Sequence, residues 1–96
     1  MPIIIHPKTV AKLTTKHSVT EQEVLQCFDN RDGGVLMDTR EEHKTNPPTL
    51  WFLAETNKGR LLKVCYVQDD ASIHVKSAFE PNSTEISIYQ RKGYAR

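Results

Sequence analysis

Three apolar runs separated by two short polar connections constrain the fold of this chain most. The runs are TLWFLAE (49–55), RLLKVCYVQ (60–68) and IHVKSA (73–78). Their length and their content of β-branched and aromatic residues are typical of strands. The connections TNKG (56–59) and DDAS (69–72) are too short for a crossover between parallel strands. These strands are therefore expected to run antiparallel.

Helical patterns stand on both sides of these runs. PKTVAKLTTKH (7–17) carries a thin apolar stripe and has proline in its first turn. A second helix, at about 20–29, begins with the capping-box pair Thr20 and Glu23. EPNSTEISIYQRKG (80–93) contains capping residues and a terminal glycine, which predict a third helix.

The order of these elements defines the expected fold. GVLMD (34–38) is a further short strand, so the order is α-α-β-β-β-β-α. A chain of 96 residues has the length of one domain, residues 1–96. We therefore predict an α+β domain in which helices pack on one face of a four-stranded antiparallel sheet.

Composition limits the partners that the chain is expected to bind. There are 13 Lys and Arg against 12 Asp and Glu, so a basic site must come from local clustering. Cys27 and Cys65 lie in apolar runs, with no second Cys or His at ligand spacing. This pattern predicts buried free thiols, no metal and no other cofactor. No apolar stretch approaches the ~20 residues of a membrane span, so we expect a cytoplasmic protein.

Alternation along the last two strands predicts one polar sheet face. A tight turn would pair Val67 with His74 and Cys65 with Lys76, which places Lys63 on the same solvent-facing side. Lysine can hold a phosphodiester, and histidine can move a proton near neutral pH. Two interpretations stay open: this patch binds a phosphodiester, or it only keeps an exposed face soluble.

The polar stretch DTREEHKTNPPTLWF (38–52) connects the first two predicted strands. Residues 45–48 make a stiff, extended entry into the sheet, which lowers the entropy cost of holding a binding geometry. Arg40, Glu41 and His43 would then offer a phosphate ligand and an acid–base pair at the rim of the polar face. The alternative is a plain solvated connection.

Basic side chains also mark the first predicted helix. Lys12 and Lys16 stand one helical turn apart, and His17 ends the helix. A protonated imidazole at this end interacts favourably with the helix dipole, which is a structural role. The alternative is that His17 takes part in a site.

Three motifs in this order resemble a known family. KLTTKHSVTEQEV (12–24) resembles the KH-x-V-[ST]-x-x-E signature near the start of BrnT-like toxins. GRLLKVCYV (59–67) is similar to their G-R-x-L-x-V strand. IHVKSAFEPNSTEISIY (73–89) is similar to their I-x-I-x-S-A strand and the following helix with a Glu and a Tyr. The matches together span about residues 7–92.

The resemblance implies a RelE-like fold and a bacterial type II toxin. Such a toxin is a ribonuclease that needs no metal and is neutralised by a bound antitoxin. Combined with the polar patterns described before it, the resemblance leads us to expect catalytic roles for Arg40, Glu41, His43, His74 and Lys76. The expected substrate-binding residues are Lys12, Lys16, His17, Arg60 and Lys63.

Some positions depart from the family pattern. Phe79 and Glu80 follow the S-A dipeptide where the family has arginine, and the last helix has few arginines. This loss of basic groups predicts a weakened ribonuclease, or a non-catalytic protein-binding module on the same fold. Small proteins of this type also carry the label ADP-ribosyl-(dinitrogen reductase) hydrolase, but the sequence has no carboxylate cluster for the metal pair of such enzymes.

Overall fold

A computed structural model describes residues 1–38 and 47–94 of the chain. Three helices and five strands form in these ranges. In chain order they are β1 (Ile3–Ile4), α1 (Pro7–His17), α2 (Glu21–Asn30), β2 (Leu36–Met37), β3 (Thr49–Glu55), β4 (Leu61–Gln68), β5 (Ile73–Phe79) and α3 (Ser83–Lys92). From α1 onward this is the predicted order, and the α+β class is confirmed.

The sheet has five strands rather than the predicted four. Its order is β1-β5-β4-β3-β2, in which β2 to β5 pair antiparallel and β1 pairs parallel with β5. Ile3 pairs with Ile73 and Ile4 with His74, and the Ile73 N–H donates to the Pro2 carbonyl at 2.9 Å. The sheet is therefore mixed, because the apolar N-terminal residues satisfy backbone groups on the outer edge of β5.

The prediction that the helices pack on one face is wrong. Phe52 of β3 packs against Phe28 of α2, with ring centroids 5.0 Å apart. The neighbouring Trp51 packs against Tyr89 of α3, at 5.8 Å. Adjacent side chains of a strand point to opposite faces, so α2 and α3 cover opposite faces of the sheet.

Two of the helices begin with capping boxes, as predicted. Thr20 and Glu23 form a complete capping box at the start of α2, and Asn82 and Glu85 form one at the start of α3. Each box satisfies backbone N–H groups that have no partner within the helix. These contacts make both helix starts predictable from a few neighbouring residues.

The pairing of β4 with β5 follows the prediction only near the turn. Val67 pairs with His74 as expected. An irregularity between Cys65 and Tyr66 then shifts the register, so Cys65 pairs with Ser77 and not with Lys76. A bulge adds one residue to one strand and changes every later pair.

The interior holds both cysteines as predicted. Cys27 and Cys65 are buried and are not joined in a disulfide, and burial raises the pKa of Cys27 to about 11. No helix within residues 1–38 and 47–94 has the length and apolar character to cross a membrane. Over the same ranges, no three His, Cys, Asp or Glu side chains gather as possible metal ligands.

Candidate functional site

Arg60, predicted to bind substrate, closes the C-terminal end of α1. Its guanidinium donates to the carbonyl oxygens of His17 at 3.1 Å and Ser18 at 2.8 Å. It also contacts the carboxylates of Glu23 at 3.2 Å and Glu80 at 2.9 Å. Ser18 has a left-handed backbone with φ 53°, which turns the last carbonyls of α1 toward this guanidinium. The donors of Arg60 are therefore engaged by the fold.

Lys63, expected to face solvent, is only 4% exposed. Its ammonium group lies 2.5 Å from a carboxylate oxygen of Glu85 in α3. The rings of Trp51 and Phe79 also contact the cation, with centroids 4.7 and 5.6 Å away. The expectation of an exposed Lys63 is wrong because α3 covers this end of the sheet.

A groove of about 540 Å³ opens beside the Lys63–Glu85 pair. Leu36, Met37 and Ile88 contribute apolar surface, and Lys92 contributes a second cation. Asp38, which is 8% exposed, lines the same groove. Glu85 and Asp38 were not among the predicted site residues; the contact of Glu85 with Lys63 depends on where α3 packs.

His74 forms the clearest acid–base pair in the described part of the chain. Its Nε2 atom lies 2.9 Å from Asp69 Oδ2, and 37% of its side chain is exposed. Asp69 also accepts hydrogen bonds from the N–H groups of Ala71 at 2.8 Å and Ser72 at 2.7 Å. These backbone bonds, followed by the bond from His74, lower the pKa of Asp69. The carboxylate therefore stays charged and orients the imidazole with Nδ1 turned away from it.

The predicted patch of Lys63, His74 and Lys76 does not form as one site. His74 pairs with Val67, four residues along β4 from Lys63, which is about 13 Å on a strand. Lys76 is exposed and lies two residues from His74 on β5. His74 and Lys76 thus share a strand, while Lys63 belongs to the interior under α3.

A row of lysines follows the exposed side of α1. Lys8, Lys12 and Lys16, here called the lysine row, are all exposed. Their spacing of four residues puts successive lysines on one side, about 6 Å apart along the axis. No described ion pair involves them, and α1 contains no acidic residue. Lys12 and Lys16 were predicted to bind substrate, and the same spacing would have added Lys8.

α1, the helix that carries the lysine row, packs against β5, the strand that carries His74. It starts three residues after Ile4, which pairs with His74, and it ends at His17, whose ring lies 5.5 Å from that of Phe79. Arg40, Glu41 and His43, predicted to be catalytic, lie outside the described residues.

The sequence matches no protein-family model, and no curated protein matches it.

Proposed function

We propose that this chain is a toxin-like endoribonuclease with a RelE-like fold that cleaves RNA without a metal ion. The observation that carries the proposal is the lysine row on α1, a helix that packs against β5, the strand that holds His74 and Lys76. The element order from α1 to α3 supports the RelE-like fold, since it is the order that the BrnT resemblance implies. The same resemblance makes a cognate antitoxin the proposed protein partner.

The lysine row binds the RNA backbone in this proposal. Exposed lysines without described acidic partners attract phosphates and release counterions. A helix that repeats lysine every four residues offers a line of point charges, and an extended single strand offers a matching line of phosphates. RNA bound along α1 would therefore pass β5.

His74 supplies the proton transfer. Its Nε2 faces Asp69, so the neutral imidazole accepts the proton of an RNA 2′-hydroxyl at Nδ1. The 2′-oxygen bonds to the adjacent phosphorus, the bond from phosphorus to the 5′-oxygen breaks, and the 5′-oxygen takes a proton from water. The products are a 2′,3′-cyclic phosphate and a 5′-hydroxyl. Lys76 stabilises the charge that develops on the phosphate.

A second candidate function is a non-catalytic protein-binding module. Arg60 and Lys63 favour it, because these two residues were expected to bind RNA but contact groups within the fold instead. This candidate predicts capture of a protein partner and no RNA cleavage.

The proposal is tested with purified protein and end-labelled RNA in the presence of EDTA. The wild-type chain should cleave the RNA and leave cyclic phosphate ends. His74→Ala should lower the rate by about 100-fold, the usual contribution of a positioned proton-transfer group. His6→Ala is the matched control because His6 is exposed and its side chain makes no capping bond, so its rate should stay within about twofold.

Three outcomes separate the candidates. RNA that stays intact with the wild-type chain, or equal rates for wild type and His74→Ala, would remove the proposed mechanism. Recovery of a protein partner with intact RNA would support the binding module instead. Release of ADP-ribose from an ADP-ribosylated protein in the presence of a divalent metal would support the hydrolase label.

A further inference from the structure

A second groove, of about 590 Å³, lies between α3 and the turn that joins β3 to β4. Leu53 and Ile86 form apolar parts of its lining, and Tyr89 and Tyr94 contribute aromatic rings. Its volume lies within the ~300–1,000 Å³ of typical ligand sites. The groove is distinct from the lysine row and from His74.

The charges that line this groove are all negative. Asp32 and Glu55 line it, and both are exposed. Among its described lining residues there is no lysine, arginine or histidine. The whole chain carries a net charge of +1, so the negative charge of this groove is opposite in sign to that of the chain.

The cation that precedes Asp32 in the sequence contacts a ring on the other face of the sheet. Arg31 precedes Asp32, but its guanidinium carbon lies 5.7 Å from the centroid of the Phe52 ring. Phe52 faces α2, on the opposite side of the sheet from Leu53 and α3. Arg31 is therefore not among the described residues that line the groove.

Tyr94 adds an aromatic surface next to this charge. It is 50% exposed, and its hydroxyl donates to Asp32 Oδ1 at 3.1 Å. Its ring meets Tyr89 edge-on, with centroids 5.4 Å apart. Burial, together with the bond to Asp32, raises the pKa of Tyr94, so the phenol stays neutral. A ring beside carboxylates is the arrangement that recognises organic cations.

We propose that this groove binds a basic peptide segment of a protein partner, with an arginine side chain held between Tyr94 and the carboxylates of Asp32 and Glu55. Arginine fits best because its planar guanidinium can stack on the ring and bond a carboxylate in the same pose. The apolar lining from Leu53 and Ile86 accepts the methylene stem of that side chain. This interaction does not depend on RNA cleavage.

The test measures fluorescence anisotropy of a fluorescein-labelled peptide of alternating arginine and glycine. The Asp32→Asn, Glu55→Gln double variant should bind about tenfold more weakly, as expected for two exposed ion pairs. Tyr94→Leu should weaken binding about threefold, whereas Tyr94→Phe keeps the ring and should lose less. The same peptide with lysine in place of arginine should bind less tightly to the wild-type chain.

A matched control separates the groove from net charge. Glu21→Gln with Asp70→Asn removes the same two charges from exposed positions outside the groove, and binding should change less than about twofold. If both double variants weaken binding equally, or if neither does, the proposal is overturned. RNA cleavage by the Asp32→Asn, Glu55→Gln variant should match wild type, so each proposal can fail without the other.

Discussion

The lysine row of α1 and Lys63 present the same side chain in opposite settings. The row lies in solvent, whereas Lys63 is only 4% exposed. Glu85 and the ring of Trp51 surround the Lys63 ammonium and tie α3 to the sheet. A solvated lysine can bind a phosphate without loss of stability, whereas a buried lysine already contacts groups inside the fold. Burial, rather than residue type, therefore separates the proposed binding surface from the scaffold.

Lys63→Ala gives the largest effect that this comparison predicts. We expect the free energy of unfolding to fall by about 3 kcal/mol, because the variant removes the cation that contacts the largely buried Glu85 carboxylate. The loss of two cation–ring contacts acts in the same direction. Urea unfolding followed by circular dichroism measures the change.

Lys8→Ala is the matched control and should change stability by less than about 0.5 kcal/mol. Lys63→Met combined with Glu85→Gln should be more stable than Lys63→Ala, since glutamine retains an oxygen for the Asn82 N–H. A loss below about 1 kcal/mol for Lys63→Ala would show that Lys63 is not part of the scaffold.

Arg60→Ala should have the next largest effect, a loss of about 2 kcal/mol in the free energy of unfolding. The guanidinium holds the end of α1 through the carbonyls of His17 and Ser18, and charged donors make the stronger hydrogen bonds. Thermal unfolding measures this loss.

Arg60→Lys separates charge from geometry. Lysine keeps the charge but lacks the planar fork that reaches the carbonyls and Glu80 together, so we expect an intermediate stability. If Arg60→Ala left stability unchanged but weakened RNA binding, Arg60 would instead belong to the predicted substrate-binding site.

The elements of this fold could be predicted where short-range contacts define them. The boxes formed by Thr20 with Glu23 and by Asn82 with Glu85 lie within single helical turns, so the sequence displays them directly. The pairing of Val67 with His74 follows from a short turn. In each case the deciding residues are close in the chain.

The errors arose where the outcome depends on distant residues. β1 has only two residues, too few for a periodic pattern, and its partner lies 70 positions away. Trp51 and Phe52 are adjacent and both buried, so alternation could not tell which sheet face a helix covers. Alternation placed Lys63 on the same face as His74 and Lys76, which was expected to be exposed. The helix that contributes Glu85, 22 residues further on, buries Lys63 instead.

Replacing the lysine row tests the solvent side of the comparison. Lys8→Gln, Lys12→Gln and Lys16→Gln together should weaken binding of single-stranded RNA about tenfold and change stability little. The slope of log affinity against log salt should fall by about 2, because each contacted phosphate of a single strand contributes ~0.7. Fluorescence anisotropy at several salt concentrations measures both quantities.

A triple variant elsewhere provides the control for net charge. Lys58→Gln, Arg91→Gln and Lys92→Gln remove three exposed cations outside α1. Their salt slope should stay near that of wild type. Equal losses for the two triple variants would mean that RNA responds to net charge alone and that the lysine row is not a defined surface.

The smallest expected effect is a loss of folding stability at acidic pH, and it concerns Glu23, which pairs with Arg60. Burial acts to raise the pKa of Glu23, but hydrogen bonds from the Thr20 backbone and from Arg60 outweigh it, and the pKa lies below its ordinary value of 4.5. A carboxyl whose pKa is lower in the folded state stabilises the fold above its unfolded pKa. That contribution is lost as the pH falls through the folded value.

Wild type should therefore lose stability below about pH 4.5, and Glu23→Gln should lose less. The difference between the two chains should be under about 1 kcal/mol, because the pair of Glu23 and Arg60 is partly solvated. Urea unfolding at pH 6 and pH 3.5 measures this, and parallel losses in both chains would mean that other carboxyls carry the acid sensitivity.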